Sequence, residues 1–379
     1  MREVAAMATA SAKGSRQDDL PWALGLMSGT SLDGIDAALI RSDGGHQVEM
    51  GPFVSQPYDA EMRRRLRAVL GGRGAVEEVA RELTLRHAEA VRQLLKQAGL
   101  APAEVRVIGF HGHTILHRPQ EGRTWQIGDG ALLAAETGID VVADLRGNDV
   151  ALGGEGAPLV PLYQAALAAE LERPLAVVNI GGVANVAWIG DGENEVLAFD
   201  TGPGNALIND WVEQHGGDPL DRDGALARAG KIDAALLARL LDNPYFGRTP
   251  PKSLDRDDFS AAPAEGLSLE DGAATLTAFT AATIARAAEH FPAPARCWLI
   301  TGGGRHNPTL MAMLAEELSA PVAPVEAVGW QGDAMEAQAF AYLALRSLEG
   351  RPITLPTTTG VSRPASGGEL HRAPKGAAA

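Results

Sequence analysis

Cysteine is almost missing from this 379-residue chain, in which Cys297 stands alone. That excludes an internal disulfide and any thiolate metal cluster, and it suits a reducing compartment. Positive charge is scarce as well, with 33 Lys and Arg against 48 Asp and Glu and a formal net charge of −15. A chain without a basic field cannot release phosphate counterions, which argues against a general nucleic-acid partner. The run Arg63-Arg64-Arg65 reads as a solvated helix face. No apolar run approaches the roughly 18 residues that a membrane span needs. The opening MREVAAMATASAKGSRQDD holds a short Ala-rich stretch before turning polar, too little for a signal peptide. Residues 1–20 are therefore expected to be a disordered extension or the product of an upstream start, and the protein to be soluble and cytoplasmic. Neither nucleotide signature, G-x-x-x-x-G-K-[ST] or G-x-G-x-x-G, occurs.

Glycine is abundant at 44 residues, implying many places where the backbone bends sharply or approaches a ligand. The stretch LGLMSGTSLDGIDAA reads as two buried strands flanking the small-residue loop from Ser28 to Gly34. Such a loop can turn N–H groups and hydroxyls toward an anion, and it can equally be a polar hairpin turn. Residues 47–57 supply a third strand. Apolar spacing over 76–98, closed by Gly99, predicts a helix. A strand at 105–110, a loop His111-Gly112-His113-Thr114, a helix at 130–137 and a strand at 140–145 follow, an order that belongs to an α/β layered domain. Residues 151–158 are the best candidate for a crossing between domains.

The opening pattern then recurs. Residues 175–180 read as a strand, Gly181 to Asn185 as a small-residue turn, and 186–189 as a returning strand. A third strand at 196–199 ends in Asp200, ahead of a helix near 206–215. Two such units suggest a duplicated architecture. Helices are expected at 231–241, 269–290 and 334–348, with a long irregular segment at 243–260 of the kind that carries function. The strand 298–301 feeds Gly302-Gly303-Gly304. Three glycine-rich turns thus directly follow predicted strands, where ligands gather in α/β folds, and together they favour a nucleotide clamp.

The segments LGLMSGTSLDGIDAAL, FHGHT, QIGDGALLA, VVADLR, GGEGAPLVP, NIGGVANV, FDTGPGN, PPKS, TGGGRHN, DAMEAQAFAYLA and LPTTTGV run in order from about residue 22 to 363. In that order they resemble the anhydro-N-acetylmuramic acid kinases. The resemblance implies an α/β, two-domain actin-like ATPase (ribonuclease H-like) fold with an interdomain ATP cleft. Domain I would take residues 21–170 with 333–350 and domain II residues 171–332, leaving a tail, 351–379, ordered only in its first part. The implied reaction phosphorylates O6 of 1,6-anhydro-N-acetylmuramic acid with ATP and Mg²⁺ while water opens the anhydro bridge. Its products are N-acetylmuramic acid 6-phosphate and ADP, in the recycling of peptidoglycan.

By the same resemblance Gly29, Thr30, Ser31, Leu32, Asp33 and Gly34 sit at the ATP phosphates. Gly181, Gly182 and Asn185 form a second phosphate loop, and Gly302, Gly303 and Gly304 lie by the nucleoside. Asp200 matches the catalytic aspartate and Arg146 a substrate-side arginine, which suits the lactyl carboxylate of a muramic acid. Glu336 and Thr114 are further substrate-side residues. A homodimer is implied, with an anhydro amino sugar as the small-molecule partner and neither nucleic acid nor membrane.

For Asp200 the chemistry can be argued from the residue itself. Bridge opening needs a water deprotonated as it attacks C1, and one carboxylate opposite the scissile bond can serve as base. The competing reading is an aspartate that caps the following helix. Met27 and Asn179 stand where the wider superfamily often carries acidic residues, so the Mg²⁺ ligands are left unspecified, with Asp200, Asp33 and Asn179 as possible outer partners. His111, His113 and His117 lack a nearby carboxylate cluster or cysteine and read as a polar loop lining the sugar pocket rather than a metal site. Lys252 could meet a phosphate or merely cap a loop, and the long irregular segment around it, part of the family pattern, favours the functional role. Levoglucosan is the alternative substrate, disfavoured because a neutral sugar does not require Arg146. A sugar-sensing regulator or a chaperone-like ATPase are readings of other classes.

Overall fold

The computed structural model describes residues 20–29, 32–192 and 195–374, apart from the side chain of Asp257. Thr30 and Ser31 of the first loop lie outside the described residues, as does the expected N-terminal extension except for Leu20. The chain divides into two compact units, one ending at Ala169 and resuming at Ala334, the other Glu170–Asp333. Residues 151–158, read as a crossing, lie inside the first unit.

The strands of the first unit begin with β1 (Trp22–Ser28), β2 (Gly34–Ser42), β3 (Val48–Pro57), β4 (Val105–Arg118), β5 (Arg123–Ile127) and β6 (Val141–Ala143). The second unit holds β7 (Leu175–Ile180), β8 (Val183–Ile189), β9 (Val196–Pro203), β10 (Trp298–Thr301) and β11 (Val322–Pro324), and β12 (Glu369–His371) returns to the first. The sheets run β12-β6-β4-β1-β2-β3, with β5 paired to β4, and β11-β10-β7-β8-β9. In each, three antiparallel strands form a meander and two later strands, β4 and β6 or β10 and β11, join parallel beside its first strand; β5 and β12 of the first sheet pair antiparallel. This repeated order is that of the actin-like, ribonuclease H-like α/β class.

Burial explains the layers. Ala23, Leu24 and Leu26 of β1 are all fully buried, as a central strand covered on both faces requires. One cover is the helix Val76–Ala98, whose Val79, Leu83, Val91 and Leu94 enter the core; Gly99 stops it in the left-handed conformation, φ 69°. The other is the helix Met335–Leu348, which lies so close that a Cβ on Gly25 or Gly109 would overlap the carbonyl oxygens of Ala337 or Phe340. In the second unit the helix Leu269–Arg286 packs with small residues, and Thr283 would meet any Cβ on Gly202.

Two strands run on past their expected ends. The loop read at His111–Thr114 is strand: β4 runs on to Arg118 because its far half pairs with β5. Gly112, φ 71°, interrupts the extended backbone between His111 and His113. Likewise β9 continues to Pro203, since Gly202 and Pro203 pair with Ala184 and Val183. Asp200 is therefore inside a strand rather than at its end, and a place capping the following helix is not its role; Asn205 precedes that helix.

Candidate active site

In the second unit, strand register assembles a polar row. Thr301 pairs with Asn179, Asn179 with Asn185, and Asn185 with Asp200, so four polar side chains stand abreast on β10, β7, β8 and β9. Asn185 thus belongs to β8; the turn proper is Gly181–Gly182 alone. Asp200 is clamped along its backbone and at its carboxylate. Its N–H donates to the Lys252 carbonyl at 3.0 Å, Tyr245 Oη donates to its carbonyl at 2.5 Å, and the Leu254 N–H donates to Oδ2 at 2.9 Å. Burial and the Asp200 charge push the Tyr245 phenol above its ordinary pKa, so it stays a donor.

Lys252 is pinned rather than extended. It is buried, and its Nζ donates to the carbonyls of Tyr245 at 3.2 Å and Phe246 at 3.1 Å, 4.8 Å from the Tyr245 ring centroid. Burial and then Arg248 lower its pKa to about 8. Of the two roles read from sequence, the structure shows the loop brace.

The glycines separate by what surrounds them. Gly302, φ 75°, leaves no room for a Cβ beside Asn179 Oδ1, and one on Gly304 would press on Ile180 at 2.5 Å. Packing explains both. At Gly181 and Gly182 the nearest neighbours of an added Cβ are 3.6 Å and 3.7 Å away, so packing does not demand glycine there. A backbone with no side chain in the way fits the approach of a ligand such as a nucleotide phosphate. The turn is stiffened from behind: the N–H groups of Gly204 and Asn205 donate to Gly182 and Gly181 at 2.8 Å and 2.7 Å, and Asn205 Nδ2 donates to Ile180 at 3.0 Å. Arg305, which the sequence reading passed over inside TGGGRHN, holds Gly302 through Nη1 at 2.9 Å and pairs with Glu326 and Asp333.

The first unit gathers a different set. Arg146 donates from Nε to His111 Nε2 at 3.1 Å and from Nη1 to the Gly156 carbonyl at 2.8 Å. Burial lowers its pKa to about 10, opposed by the charges of Glu336 and Asp149, and the guanidinium stays cationic at neutral pH. Arg146 and Glu336 are thus brought together. Thr114 receives Gln126 Nε2 at 3.1 Å in the β4–β5 hairpin. Asp149 fastens the adjoining loop, accepting Gly156 N–H at 2.7 Å and Thr359 Oγ1 at 2.6 Å. In the opening loop Leu32 is buried at φ 61°, Asp33 is exposed, and Gly34 abuts the Gln56 backbone. The histidines serve separate partners: His113 Nδ1 lies 2.9 Å from Ser28 Oγ and His117 Nδ1 lies 3.0 Å from Thr124 Oγ1. Among the described residues no three His, Cys, Asp or Glu side chains converge as a metal site would need, and no helix is long and apolar enough to cross a membrane.

Two sheets of one strand order, with a bare glycine turn and a braced carboxylate row on the second, define a two-unit α/β protein of the actin-like ATPase class. The model of the anhydro-N-acetylmuramic acid kinase family matches residues 21–373. The anhydro-N-acetylmuramic acid kinase of Paramagnetospirillum magneticum is 59% identical over 352 residues, covering 92% of this chain and 99% of its own. That of Rhodospirillum rubrum is 57% identical over 356 residues, covering 93% and 94%. Among solved structures, the activator of the 2-hydroxyisocaproyl-CoA dehydratase from Clostridium difficile with bound ADPNP is similar at 10% identity and a TM-score of 0.43, over 86% of this chain and 97% of that one. The chain belongs to the anhydro-N-acetylmuramic acid kinase family. As a kinase it uses ATP.

Proposed function

We propose that the protein phosphorylates 1,6-anhydro-N-acetylmuramic acid at O6 with ATP while water cleaves the 1,6-anhydro bridge, yielding N-acetylmuramic acid 6-phosphate and ADP. Asp200 is the base. The water oxygen bonds to C1 as its proton passes to the Asp200 carboxylate and the C1–O6 bond breaks. O6 then bonds to the γ-phosphorus, and the bond to the ADP oxygen breaks. The observation that carries this reading is the Asp200 carboxylate, held by the Leu254 N–H at 2.9 Å, on a strand residue whose own N–H and carbonyl are bonded to the Lys252 carbonyl and the Tyr245 hydroxyl. A base placed so rigidly needs no reorganisation to meet a water.

Gly181, Gly182 and Asn185 contact phosphate oxygens, Gly302, Gly303 and Gly304 lie by the nucleoside, and Gly29 to Gly34 form a further phosphate-contacting loop. The bare turn at Gly181–Gly182 supports the first of these assignments. Arg146 binds the lactyl carboxylate, with Glu336 and Thr114 on the substrate side. Mg²⁺ fits the donors present, since it takes one or two carboxylates and keeps several waters, and Asp200 and Asn179 stand in one row. When bound it would neutralise charge on the phosphates. The two units correspond to the two kinase domains, and the enzyme works in the cytoplasm as a homodimer.

The test is ADP release with and without 1,6-anhydro-N-acetylmuramic acid, beside levoglucosan. Release that depends on the anhydromuramic acid is expected. Equal rates on both sugars would overturn the substrate, and release indifferent to sugar would overturn the activity.

A further inference from the structure

His111 has no part in the function proposed above. It is 5% exposed, on β4, with its ring 4.7 Å from that of Phe340. Its Nδ1 lies 2.9 Å from the Gly112 carbonyl oxygen, which can only accept, so Nδ1 carries the proton. Nε2 is then a bare lone pair, and Arg146 Nε–H points into it at 3.1 Å. Burial first, then Arg146, His113 and His87, hold His111 well below its ordinary pKa, and the acceptor persists at neutral pH.

This fixes which edge of the guanidinium is available. A guanidinium carries five N–H donors in one plane. Nε is used by His111, and one Nη1 hydrogen by Gly156 at 2.8 Å. The edge that contains Nε is closed to a ligand. A carboxylate can form the paired bonds of a fork only across the Nη1–Nη2 end. Asp149, which receives the Gly156 N–H at 2.7 Å, fixes the other anchor.

We propose that His111 is a positioning residue that locks Arg146 so that its Nη1–Nη2 end faces the carboxylate of the sugar. The role given to Arg146 rests on the function proposed above; the lock itself does not. Without His111 the guanidinium can rotate about its stem and meets the carboxylate through one bond at a time.

The experiment is a double-mutant cycle of His111→Ala and Arg146→Ala, with His111→Gln as the conservative variant, in the full chain. It is read by the KM for 1,6-anhydro-N-acetylmuramic acid, the KM for ATP, kcat and the midpoint of thermal unfolding. His111→Ala is expected to raise the sugar KM about 10- to 100-fold, the scale of a hydrogen bond to a charged group, with the ATP KM little changed. In the Arg146→Ala background it should add almost nothing, because its effect passes through that residue. His111→Gln, which keeps an acceptor, should recover part of the loss. Additive effects on the sugar KM, or equal rises in both KM values, would overturn the proposal. If the native protein shows no sugar-dependent ADP release, the functional reading fails by itself. The unfolding midpoints then decide the lock, with non-additive shifts supporting it and additive shifts sinking it.

Discussion

β1 ends in Ser28, whose Oγ lies 2.7 Å from Tyr58 Oη and 2.9 Å from His113 Nδ1; β7 ends beside Asn179, abreast of Asn185 and Asp200. The strand orders around these two places correspond, yet one is furnished with hydroxyls and uncharged imidazoles and the other with amides and a carboxylate. The connections differ too. Between β7 and β8 the chain turns in two glycines braced by hydrogen bonds, whereas between β1 and β2 it takes the longer path through Gly29, Leu32 and Asp33. A duplicated topology therefore repeats the scaffold and leaves the chemistry to individual side chains. The base proposed above stands on the carboxylate side, while burial keeps the His113 imidazole of the other side neutral.

The most severe way to break this contrast is to remove the carboxylate. Asp200→Asn keeps an oxygen for the Leu254 N–H but cannot take a proton, so kcat should fall roughly 10²- to 10⁴-fold while calorimetric ATP binding is retained. Near-native turnover in that variant would remove Asp200 from the chemistry.

Acid is the matching test of the imidazole side. His87, His113 and His117 are each lowered to about 4, chiefly by burial, and His111 is lowered in the same direction by the same cause. A depressed folded pKa means that the unfolded chain binds more protons between the two values. Stability is thus complete above about 6.5 and drains away as pH falls toward 4. For the fully buried His87 alone the loss is on the order of 3 kcal/mol at the lower end. Urea unfolding across that range should show it, and His87→Gln should flatten the slope. An unchanged slope in that variant would shift the effect to the other histidines.

A smaller difference separates the helices that cover the two sheets. Gly25→Ala forces a methyl into the Ala337 carbonyl, backbone that cannot swing aside, and should cost about 1–3 kcal/mol or more. Gly202→Ala meets the Thr283 side chain instead, which can yield in part, and should cost less. Equal losses in thermal melts would erase the distinction. The least effect is expected at matched helix caps, Asp59 in one unit and Asp233 in the other. Each accepts first-turn N–H groups, at 2.7 Å from Met62 for Asp59 and at 3.0 and 2.9 Å from Ala235 and Leu236 for Asp233. Asp233→Ala should cost about 1 kcal/mol in chemical denaturation, and Asp59→Ala should destabilise in the same direction while also releasing Arg86.

What could be read without coordinates follows a physical line. The helix Val76–Ala98 was legible because periodicity and a stop glycine are local signals, and β7 and β10 because short apolar runs end at glycine. The resemblance carried the family across the whole chain. The ends of β4 and β9 were illegible because each strand continues only through a partner: β5 for one, the Gly202 and Pro203 pairing with β8 for the other. The bonds of Lys252 to the carbonyls of Tyr245 and Phe246 were illegible, and the reading leaned to a functional role, because backbone carbonyls carry no mark of their own in a sequence.

The sequence by itself determined the class of fold, the family and the types of side chain offered to chemistry, because composition, periodicity and motif order are properties of the chain. Tertiary structure alone decided which of those side chains meet. Register set Asn179, Asn185 and Asp200 abreast, and β4 delivered His111 to an arginine far along the chain. Bare Gly181 and Gly182 stand apart from crowded Gly302 for the same reason: free space and hydrogen-bond direction exist only once strands have paired and helices have closed over them.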